Sequence, residues 1–134
     1  MRSLISAISV LFLAVAFARP AFAADTEAQK SAQGGVTVVV TSQGLSRGTA
    51  TWNFKIVFDT HSQDLNDDLT KSAVLLDGAG GRYAPIGWDG PGPGGHHREG
   101  VLRFKPISPR PQSIELQIMR VGESEPRSFR WQLQ

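Results

Sequence analysis

After residue 35, apolar and polar residues alternate with a period of two along much of the chain. The alternation is most regular in residues 51–59, where alternate positions hold Trp52, Phe54, Ile56 and Phe58. Successive side chains of a β-strand point to opposite faces of the sheet. The pattern therefore predicts a strand with one buried and one solvated face.

Six further segments are predicted to be extended, and turn-forming residues separate them. The seven predicted strands are residues 36–42, 51–59, 72–77, 82–85, 101–105, 113–120 and 128–133. About seven short strands favour an all-β fold, an immunoglobulin-like antiparallel β-sandwich, with a small barrel as the alternative. One helical turn is predicted near residues 64–71, and the glycine- and proline-rich residues 87–95 are predicted to form a loop.

The first 23 residues have the order of a secretory signal peptide. Arg2 precedes an apolar stretch from Leu4 to Phe17, and Ala21-Phe22-Ala23 offers the small-x-small pattern of a cleavage site. The apolar stretch of about 14 residues is shorter than the roughly 20 that a membrane-spanning helix needs. We therefore predict cleavage after Ala23, export to the periplasm or the medium, and no stable membrane insertion afterwards.

The mature chain is predicted to be a single domain. Residues 24–35 are small and polar and are expected to form a flexible leader. Residues 36–134 are expected to form the sandwich, which is within the usual size range of one domain.

The charge balance changes once the signal peptide is removed. The full chain has 14 Lys and Arg residues and 12 Asp and Glu residues, and Arg2 and Arg19 lie in the signal peptide. The mature chain therefore carries 12 of each, and its formal net charge is near zero. A neutral domain without interleaved aromatic and basic residues is a poor nucleic-acid binder, so no nucleic-acid partner is expected.

The amino-acid composition restricts the possible metal sites. The chain contains no cysteine, which excludes disulfides, thiolate ligands and cysteine nucleophiles. Met119 is the single methionine of the mature chain, which excludes a methionine-rich Cu(I) site.

All three histidines lie in or beside two predicted loops, residues 60–71 and 86–100. In an up-and-down succession of strands, the loop after the second strand and the loop after the fourth lie at the same end of the sandwich. The sequence therefore predicts that two distant stretches of chain meet there and bring imidazole and carboxylate groups together.

Five side chains at these loops are candidate ligands for one divalent metal ion. They are Asp59, His61, Asp89, His96 and His97. Imidazole nitrogen and carboxylate oxygen suit Zn(II) and Cu(II), so a Cu(II) or Zn(II) site is the sharpest functional hypothesis. Adjacent residues of extended chain point to opposite sides, so one of the two neighbouring histidines is expected to face the ion.

The alternative hypothesis is a non-enzymatic module that binds a protein partner in the cell envelope. In that case the histidines are a structural clamp: His61 bonds a loop carbonyl or Asp59, and the paired histidines brace the glycine-rich loop against Trp88. No catalytic residue is predicted, because the sequence has neither a nucleophile elbow nor a phosphate-cradling glycine loop.

Residues 64–68 carry oxygen-bearing side chains at alternate positions, as the start of a calcium loop does. Leu69 and Leu75, however, stand where such a loop needs its turn glycine and its bidentate glutamate. A capped helical turn is therefore predicted instead.

The last two predicted strands carry a basic strip, consisting of Arg120, Arg127 and Arg130. We expect this strip to lie on a solvated face, where ion pairs with nearby acidic residues are ordinary. The candidate partners are Glu115, Glu123 and Glu125.

Four motifs follow one another in the mature chain: Asp59-Thr60-His61-Ser62, Trp88-Asp89-Gly90, Gly94-Gly95-His96-His97 and the segment GVLRFKP from Gly100 to Pro106. In this combination the chain resembles a family of small, exported, uncharacterised bacterial proteins, over roughly Val36 to Leu133. The resemblance implies that the two histidine motifs occur together, and it implies no activity.

Overall fold

The structure, a computed structural model, describes residues 27–134. The predicted signal peptide and residues 24–26 of the predicted leader lie outside the described residues. The described part contains β1 (Gln29–Gln33), β2 (Val36–Gln43), β3 (Trp52–Thr60), α1 (Leu69–Ser72), β4 (Ala73–Asp77), β5 (Arg82–Tyr83), β6 (Gly87–Asp89), β7 (His97–Phe104), β8 (Ser113–Ile118) and β9 (Arg127–Gln132). Within residues 27–134, no helix has the length and apolar character needed to cross a membrane.

The strands form two antiparallel sheets. Sheet A has the order β1-β2-β3-β7-β6, and sheet B has the order β5-β4-β8-β9. The chain leaves sheet A after β3, returns to it with β6 and β7, and crosses to sheet B again for β8 and β9. The prediction of an all-β fold is confirmed at the level of a sandwich of two antiparallel sheets.

The period-two alternation places the apolar side chains between the two sheets. In β3 the buried positions are the predicted ones, Trp52, Phe54, Ile56 and Phe58. The Phe54 ring has its centroid 4.9 Å from the ring of Trp131 in β9, so it joins sheet A to sheet B. Burying rings of this size removes large apolar areas from water and stabilises the packed sheets.

Each of the seven predicted strands has a counterpart in the structure, namely β2 to β5 and β7 to β9. The predicted helical turn is α1, and the Asp68 side chain caps it by accepting a hydrogen bond from the Thr70 amide at 3.1 Å. The largest difference concerns β7, which begins at His97 rather than at Val101. This difference places His97 on a strand instead of in a loop.

Two strands are corrections to the predictions. β1 lies within residues 24–35, where the sequence predicts a loose leader, and β6 lies within residues 87–95, where it predicts a loop. None of the five residues of β1 is fully buried, so the alternation of apolar residues gives no signal there. Gly34 and Gly35, with φ of 57° and 77°, form the two-residue hairpin loop that returns β1 against β2.

The basic strip is also a correction. Arg120 is 6% exposed and Arg127 is 3% exposed, so two of its three arginines are buried, and only Arg130 is exposed. The expectation of a solvated face is therefore wrong for Arg120 and Arg127. Arg120 contacts carboxylates, and Arg127 contacts a carboxylate and backbone carbonyls, which compensates both guanidinium groups for the loss of water.

Candidate functional site

The two histidine-bearing stretches meet at one end of the sandwich, which we call the histidine pole (residues 61–68 and 90–96). The Thr60 amide donates to the His96 carbonyl at 2.9 Å, and the Leu65 amide donates to the Gly95 carbonyl at 3.0 Å. The cause is the pairing of β3 with β7, since the chain that follows β3 must adjoin the chain that precedes β7.

His97 and Asp59 face each other across β7 and β3 on the outer face of sheet A. The His97 Nδ1 atom lies 2.5 Å from the Asp59 Oδ1 atom. An ionised carboxylate can only accept, so the Nδ1–H group donates, and the lone pair of a neutral ring is left on Nε2. The two side chains are 57% and 55% exposed, so water reaches this pair.

Glu99 and Lys55 extend this pair along the same face. The His97 Nε2 atom lies 3.6 Å from the Glu99 Oε2 atom, and the Lys55 Nζ atom lies 2.8 Å from the Glu99 Oε1 atom. We call these four side chains (Asp59, His97, Glu99 and Lys55) the surface ladder. Charges of opposite sign alternate along it whenever the imidazole is protonated.

The surface ladder changes the pKa of two of its members. The hydrogen bond to Asp59, and the negative charge of that carboxylate, raise the pKa of His97 above its usual value, and Glu99 adds to the effect. The hydrogen bond from Lys55, together with its positive charge, lowers the pKa of Glu99. Protonated His97 is therefore stabilised, and a metal ion has to compete with this proton.

The other predicted ligands do not join His97 and Asp59. Asp89 pairs with Arg103, whose Nε atom lies 2.7 Å from Oδ2, and its strand partner Val101 is far along β7 from His97, at about 13 Å by strand rise. His61 and His96 are exposed. Across residues 27–134, no group of three or more His, Asp or Glu side chains is arranged to hold a metal ion.

Arg98, which the sequence analysis did not single out, braces the histidine pole. Its side chain is 2% exposed and donates to the carbonyls of Asp67 at 2.7 Å, Pro91 at 3.1 Å and Leu65 at 3.3 Å. Its guanidinium carbon lies 5.7 Å from the Trp88 ring centroid, within the range of a cation–π contact. The guanidinium of Arg98 thus holds together the two loops that the clamp hypothesis assigned to histidines.

A buried arginine cluster lies behind the histidine pole and consists of Asp67, Arg120, Glu123 and Arg127. The Arg120 guanidinium donates from Nε and Nη2 to both oxygens of Asp67, at 3.1 to 3.3 Å, and the two side chains are 6% and 3% exposed. Glu123 accepts from Arg127 at 2.6 Å and lies 3.8 Å from Arg120. Arg127 lowers the pKa of Glu123, which keeps this carboxylate ionised.

Arg127 also fixes the first strand. Its guanidinium donates to the carbonyls of Ser31 at 3.0 Å, Gln33 at 2.9 Å and Val36 at 2.8 Å. Each of these bonds is charge-assisted, and such bonds are stronger than neutral ones. The polar strand β1 is therefore tied to sheet B by this side chain, about 95 positions away along the chain. The Gln29 side chain adds two hydrogen bonds with the backbone of Arg130 in β9.

Part of this arrangement has a signal in the sequence. His97 and Glu99 are two positions apart, and residues two apart share a face once β7 is extended back to His97. Asp67 follows Leu65 and precedes Leu69 in a period of two, which places it on the buried side. The partners of Arg98 and Arg127 are backbone carbonyls of distant segments, and residue types carry no signal for such contacts.

No protein-family model, curated protein sequence or solved structure matches the chain. The resemblance to small exported bacterial proteins therefore stays an expectation from the sequence motifs.

Proposed function

We propose that the mature chain is an exported, non-catalytic module that binds one divalent ion, Cu(II) or Zn(II), at the surface ladder. The ligands are His97 Nε2 and Glu99 Oε2, and Asp59 orients the imidazole through Nδ1. The observation that carries the proposal is the separation of 3.6 Å between His97 Nε2 and Glu99 Oε2.

The separation suits two ligands of one ion. Nitrogen and oxygen ligands about 2.0 to 2.2 Å from a tetrahedral Zn(II) lie roughly 3.4 Å apart. A carboxylate that accepts from the second ring nitrogen fixes the tautomer and raises the basicity of a metal-bound histidine, and Asp59 has this position. Lys55 contacts Oε1 of Glu99, which leaves Oε2 directed at the imidazole.

The proposed site has two protein ligands on an exposed face, so water would complete the coordination. An ion held in this way exchanges readily, which suits a carrier or a buffer better than a structural zinc site. The coordinating imidazole must be neutral, so binding weakens as the pH falls through the raised pKa of His97.

Calorimetric titration of the secreted chain, purified without a tag, tests this proposal with Cu(II) and Zn(II) separately. We expect binding of one ion that is lost in His97→Ala and in Glu99→Gln, and that is weaker in Asp59→Asn. The matched controls are His61→Ala and Asp89→Asn, which change predicted ligands that lie outside the surface ladder and should bind as the unchanged chain does.

Binding that survives His97→Ala but disappears in His61→Ala would favour the ligand set predicted from the loops. Absence of stoichiometric binding at neutral and at mildly alkaline pH would overturn a metal function at this face.

The second candidate is an envelope module that binds a protein partner, with His97 as a structural clamp. The observation in its favour is the close contact of His97 with Asp59, which joins β7 to β3 without any ion. On this proposal the His97→Ala chain loses stability and no metal affinity, so the same titration separates the two candidates.

We further propose that the fold is immunoglobulin-like. The order β2-β3-β7-β6 corresponds to strands A-B-E-D of that fold, and β5-β4-β8-β9 corresponds to C′-C-F-G. In this comparison β1 is an additional strand at the edge of sheet A. Because this architecture occurs with many unrelated functions, it supports neither candidate over the other.

A further inference from the structure

The end of the sandwich opposite the histidine pole contains a small recess between the β2–β3 loop and the segment after β7. Its volume is about 220 Å³, and no Asp or Glu side chain lines it. Its lining residues include Arg47 and Arg110, together with the hydroxyl-bearing residues Ser46, Thr49 and Ser108. The Thr49 hydroxyl donates to the Ser46 carbonyl at 3.0 Å, which leaves the two serine hydroxyls as candidate donors. Two arginines and two serine hydroxyl groups, with no Asp or Glu among the lining residues, form a surface that is complementary to an anion.

Within residues 27–134, Arg110 is held by its Nε atom and by the Trp52 ring, and its outer nitrogens donate no hydrogen bond there. Its Nε atom donates to the main-chain oxygen of Gln134 at 3.1 Å, and its guanidinium carbon lies 5.8 Å from the ring centroid of Trp52. Trp52 is 2% exposed and belongs to the core, so it is a rigid base for the guanidinium. A guanidinium group fixed in this way loses little conformational entropy when it binds a ligand.

Arg47 and Arg110 differ from most other arginines of the described residues in the partners of their guanidinium groups. Residues 27–134 contain eight arginines, and four of them contact carboxylates: Arg103, Arg120, Arg127 and Arg130. Arg98 is buried on backbone carbonyls. Of the three that remain, Arg47, Arg82 and Arg110, two line this one recess.

We propose that this recess binds the oxyanion of a phosphate or sulfate ester. Guanidinium groups bind the oxygens of tetrahedral anions through paired N–H donors, and hydroxyl groups complete such sites. The recess is large enough for one such group. It lies at the far end of β3 from Asp59, so this proposal is independent of the metal site.

A second, adjoining recess indicates where the rest of the ester would lie. It has a volume of about 470 Å³ and shares Ile107 and Arg110 with the first, and Tyr83, Pro109 and Pro111 line its other parts. Asp77 also lines it, and hydrogen bonds from two backbone amides and Tyr83 lower the pKa of that carboxyl. An ionised carboxylate there disfavours a second negative charge, so the body of the ester is expected to be uncharged.

The test is a titration followed by NMR, at constant ionic strength in chloride, using the backbone amides and the arginine Nε–H groups of the secreted chain. The probes are inorganic phosphate, inorganic sulfate and phenyl phosphate. We expect saturable shifts at residues 46–49 and 106–110, with phenyl phosphate binding more tightly than inorganic phosphate. Whichever of inorganic phosphate and inorganic sulfate binds more tightly then indicates whether the ester is a phosphate or a sulfate.

Arg47→Ala removes an exposed side chain and should leave the fold intact, and Arg110→Lys keeps the charge while removing the fork. Each should weaken binding by roughly tenfold or more, as expected for the loss of charge-assisted bonds. The control is Arg82→Ala, which removes the same charge from an exposed site outside both recesses. Equal weakening in all three variants, or shifts that never saturate, would overturn the proposal.

Discussion

The surface ladder and the buried arginine cluster lie at the same end of the sandwich and use the same kinds of charged groups. The ladder pair His97 and Asp59 is more than half exposed, whereas Arg120 and Asp67 are 6% and 3% exposed. The charged groups are in close contact in both clusters, so the clusters differ in their access to water.

Exposure decides what each group contributes. An exposed ion pair is screened by water and salt and adds little to the free energy of unfolding, which leaves its members available for a ligand. A buried pair has already lost its water, so removal of either partner leaves an uncompensated charge in the interior. The buried cluster therefore maintains the fold, while the ladder is the better place for binding.

The largest effect should follow from Asp67→Ala, which leaves the Arg120 guanidinium buried without its carboxylate. We expect the free energy of unfolding to fall by about 3 to 5 kcal/mol, measured by chemical denaturation. Asp64→Ala is the matched control, because Asp64 is an exposed carboxylate on the same loop. Equal losses in the two variants would contradict the distinction between buried and exposed charge.

Arg127→Met should have the next largest effect, of about 3 kcal/mol, because it leaves Glu123 and three backbone carbonyls without their shared donor. Hydrogen exchange should show loss of protection specifically in β1, which this guanidinium holds. Arg130→Met, on the exposed side of the same strand, is the control. If β1 keeps its protection in Arg127→Met, pairing with β2 and the hydrogen bonds between the Gln29 side chain and the Arg130 backbone are enough to hold it.

Arg98→Met should cost less, about 2 kcal/mol, because the three carbonyls that it binds lie in loops where water can replace it in part. The expected signature is local: faster amide exchange in residues 62–68 and 90–96, with the sheets unchanged. Loss of protection throughout both sheets would mean that Arg98 supports the core rather than the two loops.

The smallest effect concerns the pH dependence of the surface ladder. Because folding raises the pKa of His97, the pair contributes its full stability below the unfolded value of about 6.5 and loses it as the pH rises through the folded value. NMR titration of His97 should show its pKa fall in Asp59→Asn, and the stability of that variant should vary less over the same pH range. An unchanged pKa would show that Asp59 does not form this bond in solution.

The comparison also shows how much of the fold can be predicted from the pattern of apolar and polar residues. Apolar segments bounded by turn residues located seven of the nine strands in residues 27–134. Alternation located the core of β3, because burial between two sheets imposes a period of two on a half-buried strand. The same rule failed for β1, which has no fully buried residue, and for the three residues of β6. Edge strands that are held by backbone hydrogen bonds need few apolar residues, so they give little signal in the amino-acid sequence.

For the candidate site, the sequence correctly brought the two histidine stretches to one end, but it did not determine which side chains meet there. His97 contacts Asp59 because β3 and β7 are neighbours in one particular register, while Asp89 is drawn to Arg103. A register is set by the packing of the whole sheet, and a shift of one residue would turn His97 to the other face.

The sequence by itself determined the all-β class, the absence of thiol chemistry and the apolar faces of the principal strands, since these depend on composition and on local periodicity. Tertiary structure alone decided that Arg120 and Arg127 are buried, that Arg98 braces the loops, and that Arg47 and Arg110 share a recess. The physical reason is that a charged side chain is buried or exposed according to the partners around it, and these partners come from distant parts of the chain.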